Sequence, residues 1–170
     1  MVLMAGAMFG PIYAIFVEGI GGNLLDASMA YAVYAAAAGA VTLASGRIAD
    51  KIKENELITV LGYLIIAIGY FGYLGVQSIW GLLVVQAVVG MGEAIYSPAY
   101  DAVYSKHLDG HKSGTQWGAW ESLNYLTLAV GAATGGGLVA LFGFRAMFAV
   151  MAVLCVMSAV FIWRLPRRVL

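Results

Sequence analysis

Glu93 is the residue whose chemistry is hardest to explain away. It lies inside Leu82 to Tyr104, LLVVQAVVGMGEAIYSPAYDAVY. About 20 apolar residues at 1.5 Å rise span a hydrocarbon core of roughly 30 Å, so this stretch is long enough to cross a bilayer. A charged group at that depth costs about 2.5–3.5 kcal/mol on insertion scales, so carboxyls there face a protein interior or a water-filled cavity. Helical steps from Glu93 reach Gln86 in one direction and Ser97, Tyr100, Asp101 and Tyr104 in the other, a polar stripe on an otherwise apolar helix. Desolvation disfavours the ionised form of a carboxyl, which makes Glu93 a candidate to take up and release a proton along a membrane pathway. A structural carboxyl hydrogen-bonded to a neighbouring helix is the competing reading.

Two further carboxyls lie in apolar surroundings. Glu18 ends the run YAIFVEG, and Glu121 lies in QWGAWESLNY. Around Glu121, the residues Gln116, Trp120, Asn124, Thr127, Gly131 and Thr134 fall near one helical face. That face suits hydrogen bonding to a substrate or gating an inner mouth, and interhelical hydrogen bonding explains it equally well. His107 and His111 flank Asp109, but no carboxyl or thiol cluster completes a metal site there. A solvated loop is expected, with no metal or cofactor. The single cysteine, Cys155, can form no disulfide within the chain and reads as a small packing residue.

The elements that must position these groups are membrane helices. The 170 residues are 62% hydrophobic and 11% charged, with mean hydropathy +0.89. Soluble domains are nearer 45–50% apolar and about 25% charged, so lipid is the expected solvent. The formal net charge of +0 suggests no nucleic-acid partner. The 22 glycines suit close helix–helix contact, including the run Gly135-Gly136-Gly137 beside the alanines Ala35 to Ala38 as packing surfaces. Six apolar segments are expected to span: Val2–Gly22, Ser28–Ser45, Leu57–Val76, Ile79–Tyr104, Thr115–Leu141 and Arg145–Trp163. The first is expected to be a span and not a signal peptide, because it lacks a basic leader region, its apolar stretch is too long and no small-residue cleavage pattern follows. If both termini share one side, that side receives Arg47, Lys51, Lys53, Lys106, Lys112, Arg164, Arg167 and Arg168, and the other only Arg145. Both termini are therefore expected to be cytoplasmic. No break between segments has room for a soluble domain, so a single six-helix unit is expected.

Gly46-Arg47-Ile48-Ala49-Asp50-Lys51, between the second and third segments, resembles the loop signature G-x-L-a-D-r-x-G-r-k of the major facilitator superfamily. The glycine, alanine, aspartate and following base match; Lys53 and Glu54-Asn55 depart from the second half. In the fourth segment Gln86, Gly90 and Gly92 are similar to the family's R-x-x-q-G-x-g, with Gln86 in the arginine's place. Ser97-Pro98 looks familiar there too, and Phe142-Gly143-Phe144-Arg145 resembles the family's aromatic-Gly-aromatic-Arg before the sixth span. Gly136 stands about where the family's antiporter signature places a proline, so no direction of transport is assigned.

The resemblance implies an all-α integral membrane fold: six spans forming one half of a major facilitator transporter, itself a 3+3 inverted repeat. It implies that the first and fourth spans line a cavity, so that Glu18 and Glu93 could share one aqueous path. Gln86, Tyr96, Tyr100, Tyr13, Asn124 and Trp120 are then the expected cavity residues, with Tyr31 and Tyr34 on a facing span. Aromatics there suit a moderately apolar organic substrate through stacking or cation–π contact. Tyr63, Tyr70 and Tyr73 are expected in packing or at the interface. Gly46, Asp50 and Lys51 would form a cytoplasmic gate, the aspartate facing a helix N-terminus in the opposite half. Starting at Met1 and ending in a basic tail, the chain is expected to be a small transporter that pairs with itself, the commonest closure for identical subunits. A half needing a different partner chain and a piece of a longer chain are the other readings of its length. The function expected is proton-coupled secondary transport of a small organic molecule by alternating access, with Glu93, Glu18 and Glu121 as coupling carboxyls. A non-transporting assembly module is the alternative; no nucleophile elbow or zinc-ligand helix points to an enzyme.

Overall fold

The computed structural model describes residues 1–52 and 54–165. Lys53, Arg167 and Arg168 lie outside the described residues. Every element is helical: α1 (Val2–Phe9), a 3-10 turn (Gly10–Ile12), α2 (Tyr13–Gly19), α3 (Leu24–Ala49), α4 (Asn55–Tyr73), α5 (Ile79–Lys106) and α6 (Ser113–Arg164). Five stretches are long and apolar enough to cross a membrane: Val2–Gly19, Leu24–Ala49, Asn55–Tyr73, Ile79–Lys106 and Ser113–Arg164. The protein is an integral membrane helix bundle.

Six separate spans were expected, and five long stretches are found because the last, the 52 residues Ser113–Arg164, holds two helices that meet across a kink. A straight helix of that length would measure about 78 Å, more than twice the hydrocarbon thickness. It is not straight. Gly143 interrupts it at φ 78°, ψ 171°, a backbone region open only to glycine. Ser158, Phe161 and Ile162 consequently line the same cavity as Trp120, Leu123 and Asn124, so the chain doubles back at Gly143. The loop expected at Phe142-Gly143-Phe144 is a single-residue reversal.

The other boundaries follow from local chemistry. Pro11 has no amide N–H and crowds the preceding turn, which breaks the first span into α1 and α2 across the 3-10 turn. Gly21 turns the chain at φ 85°. Asn23 then caps α3: its Oδ1 accepts from the amides of Leu25 (2.8 Å) and Asp26 (3.1 Å), while Asp26 Oδ2 accepts from the Asn23 amide (2.9 Å). This reciprocal cap starts the helix before Ser28, the expected first residue, and draws Leu24 to Ala27 out of the expected loop. At the other end, Asn55 is 2% exposed, and its amide nitrogen, turned toward the loop, donates to the carbonyls of Ala49 (2.8 Å) and Ile52 (3.1 Å). One buried side chain thus closes the turn from α3 into α4.

Packing places α5 between α3 and α4, and α6 against α1 and α4. Small residues set the distances. A Cβ added to Gly62 of α4 would stand 2.7 Å from the Gly92 carbonyl and 2.6 Å from Tyr96 Cβ on α5, closer than atoms can approach. Gly135 of α6 likewise lies directly on the backbone of Met8. Without a hydrophobic drive between helices in lipid, such close contact supplies the association through dispersion. At the end of the bundle holding Gly143, Phe9, Phe16, Tyr73 and Phe148 form an aromatic cluster joining α1, α2, α4 and α6, with centroids 4.7–5.8 Å apart.

Pro98 lies within α5 and offers no N–H to the Ala94 carbonyl four residues earlier. The buried Ser45 hydroxyl of α3 donates to that carbonyl, so a side chain from the neighbouring helix replaces the missing backbone donor. Ser45→Ala is expected to cost about 0.5–2 kcal/mol, read by unfolding in detergent. In a Pro98→Ala background the residue-98 amide supplies the bond itself, and the penalty should largely vanish. An equal penalty in both backgrounds would show that Ser45 does not serve the proline.

Candidate functional site

The stripe on α5 is divided between two cavities. Glu93 is half-buried and accepts a hydrogen bond from the Tyr34 hydroxyl of α3. It lies on the wall of a cavity of about 690 Å³, with Tyr31, Tyr34, Tyr70 and Tyr96 as its aromatic wall and Ile66, Val89 and Leu128 as apolar filling. Gly10 and Pro11 of the broken first span lie on the same wall. Where the helix yields to the 3-10 turn, the chain presents small residues to the space facing Glu93.

Ser97, Tyr100 and Asp101 face a second cavity, of about 420 Å³, which also holds Trp120, Asn124 and Thr127 of α6. Tyr63 and Tyr96 pack edge to face on its wall, centroids 4.9 Å apart, and Tyr100 tilts against Trp120 at 5.3 Å. Tyr96 belongs to both walls, together with Val2 and Leu3 of α1. Among the described residues, neither wall carries a lysine, arginine or histidine side chain; Glu93 is the charged side chain of one and Asp101 of the other. A carboxylate among tyrosines, with no cationic side chain to neutralise it, can bind a proton or an organic cation.

The remaining expected residues fall elsewhere. Gln86, 7% exposed, donates to the Tyr13 hydroxyl (2.8 Å), and this pair ties α5 to α2 outside both cavity walls. Glu18 is exposed near the end of α2, and Glu121 is exposed on α6; neither is on a cavity wall, so the structure does not bring Glu18 to Glu93. Tyr104 leaves the stripe to donate to the Gln116 carbonyl (2.9 Å). Gln116 Oε1 accepts from the Asp109 amide (2.9 Å), and Asp109 accepts from the His111 amide (3.0 Å). The histidine loop is therefore an ordered turn, and no group of three metal-ligating side chains occurs among the described residues. Gly46 is half-buried in the last turns of α3, with Asp50 and Lys51 exposed just beyond it. Cys155 is buried and free.

Tyr63 and Tyr70 were expected to pack, and they do so as cavity walls. Their spacing of seven residues, two helical turns on the face that also bears Gly62 and Ile66, is the signal that could have assigned them. Ser158 lines the second cavity and was not anticipated, since nothing local distinguishes a serine in the run LCVMSAVF.

A profile of the Major Facilitator Superfamily matches residues 1–169. Among curated proteins, the multidrug resistance protein MdtG of Citrobacter koseri is 24% identical over 99% of this chain and 42% of its own length. Those of Salmonella schwarzengrund and Salmonella newport are each 23% identical, with the same coverage of 99% and 42%. The chain thus spans less than half the length of the curated relatives it matches.

The Tyr34 bond separates charge from structure at Glu93. Glu93→Gln keeps an acceptor for the hydroxyl and is expected to unfold within about 0.5 kcal/mol of the parent protein. Glu93→Leu removes it and should lose about 1–2 kcal/mol. Thermal unfolding in detergent distinguishes them; equal losses would mean that the hydrogen bond contributes nothing to the fold.

Proposed function

Because the chain belongs to the Major Facilitator Superfamily, we propose that it forms one half of a secondary transporter for a small, moderately apolar organic molecule, with Glu93 as the proton-coupling carboxyl. The observation that carries this reading is the Glu93 cavity: one carboxylate, held by a tyrosine hydroxyl, on a wall of aromatic and aliphatic groups deep in a membrane span. The relatives named multidrug resistance proteins support an organic substrate over a sugar or an inorganic ion.

In this reading the chain passes the membrane six times, the 52-residue helix counting as two passes that meet at Gly143. Both termini lie on the cytoplasmic side, where the basic residues gather. The cavity walls come from α1, α3, α4, α5 and the first part of α6. A second copy placed about a two-fold axis would close the space from the other side, as the opposite half of a full-length transporter would. Asp50 and Lys51, exposed beside half-buried Gly46, would latch the cytoplasmic ends of the two halves, the aspartate against a helix N-terminus.

Coupling follows from charge. Closing a cavity around an ionised carboxylate strips its water, which costs several kcal/mol; protonation removes that cost and lets the closed state form. Release of the proton on the other side restores the charge and reopens the cavity to substrate. Glu121 and Glu18, both exposed, would serve as entry and exit relays at the two ends of this path.

The test is flux in proteoliposomes under an imposed pH gradient. Gradient-driven accumulation of a fluorescent organic substrate is expected in the parent protein and lost in Glu93→Gln, whose fold persists. Undiminished gradient-driven flux in that variant would remove Glu93 from the mechanism.

A half that joins a different partner chain, or acts as an assembly module without transporting, is the second reading, favoured by the 42% coverage of the relatives. Native mass spectrometry of protein released from nanodiscs over a range of concentrations is expected to show a persistent dimer. A persistent monomer would leave the cavity without its second wall and favour the partnered half.

A further inference from the structure

The second cavity has chemistry of its own. Asp101 is exposed on its wall and makes no hydrogen bond or ion pair with any described residue. Around it stand two aromatic pairs, Tyr63 with Tyr96 and Tyr100 with Trp120. Met1, which bears the α-ammonium, also touches this wall but makes no ion pair with Asp101, and no side chain there is basic. A ring presents its negative face to a cation, and tryptophan does so most strongly. An unpaired carboxylate beside such rings is matched by a cation with apolar substituents, and poorly matched by an anion or a sugar.

The position of this cavity relative to the first adds direction. Asp101 lies eight residues beyond Glu93 on α5, about 12 Å along the axis and nearer the basic end of the helix. Tyr96 is common to both walls. Between the two carboxyls lies Pro98, whose missing donor is replaced from α3 by Ser45.

We infer that the Asp101 cavity is a second station for an organic cation, which passes between Glu93 and Asp101 across the shared Tyr96 wall. This rests on the transporter reading and names its substrate class. Asp101 supplies the charge complement, and Trp120 with Tyr100 supplies the face on which the cation's substituents lie. Asn124 and Thr127, on the same wall, offer hydrogen bonds to polar substituents. The first station exchanges the cation for a proton at Glu93; the second holds it by charge and aromatic contact alone.

The experiment is equilibrium binding to the whole chain in nanodiscs, corrected for empty nanodiscs, with two probes of one shape and opposite charge: tetraphenylphosphonium and tetraphenylborate. The phosphonium is expected to bind saturably and at least roughly tenfold more tightly than the borate. Asp101→Asn should weaken it roughly tenfold with unchanged thermal unfolding, since the carboxylate holds nothing in the fold. Trp120→Leu should weaken it roughly fivefold, and Trp120→Phe should recover most of that loss. Unchanged affinity in Asp101→Asn beside a loss in Glu93→Gln would eliminate the second station and leave the transporter reading intact. Equal binding of both probes would overturn the cation class. Asp101-dependent binding without any pH-driven flux would overturn the passage between stations and the transporter reading together, keeping only a cation site.

Discussion

In the interior of a bilayer no water is available to hydrogen-bond a stray carbonyl, amide or hydroxyl, so each must find its partner within the protein. Pro98 makes this constraint visible on α5. The carbonyl it leaves without a donor is satisfied by Ser45, and that bond fixes how α3 lies along α5. Tyr34, on another turn of α3, then meets Glu93, and two turns before Glu93 on the same stripe Gln86 meets Tyr13 of α2. Among the described residues, no buried side-chain nitrogen or oxygen lacks a partner. The polar groups of the chain thus act as registration points for helices that lipid gives no other reason to associate in one register.

Glycine provides the second half of that registration. Where Gly62 meets Gly92 and Gly135 meets Met8, backbones approach too closely for any Cβ, so dispersion forces act over the full contact. The spaces that remain are where side chains are large instead of small. Tyr63, Tyr70 and Tyr96 stand beside these contacts on the same two helices, and the two cavities lie along them. Close glycine contacts and tyrosine-lined cavities are two consequences of one packing arrangement around α4 and α5.

The site divides into what helical periodicity shows and what it does not. Glu93, Ser97, Tyr100 and Asp101 are legible as one stripe because spacing along a helix is a local property of the chain. The division of that stripe into two cavities is not local. It depends on Val2, Leu3 and Tyr96 meeting where both walls share them and on α6 returning from Gly143 to bring Ser158 to the same wall as Asn124. Glu18 and Glu121 looked equivalent to Glu93 as carboxyls in apolar surroundings. They differ in position, Glu18 near the end of α2 and Glu121 beside Trp120 on α6, and both are exposed and off the cavity walls. Which carboxyl meets a cavity is set by neighbouring helices, and the residues around it in the chain do not encode that.

By itself the sequence determined the solvent and the secondary structure. A chain this apolar, in segments of this length, can satisfy its backbone in lipid only as helices, and the breaks at Pro11, Asn23 and Gly143 follow from side-chain and backbone chemistry within a few residues. Tertiary structure alone decided which hydroxyl holds Glu93, which tyrosines wall a cavity and which carboxyls stand apart. It also decided that the chain reverses at Gly143, so that the last two apolar segments pack against one another. The physical reason is range: hydropathy, capping and proline act over one or two turns, whereas a cavity wall is assembled from helices whose mutual rotation is fixed by contacts tens of residues apart.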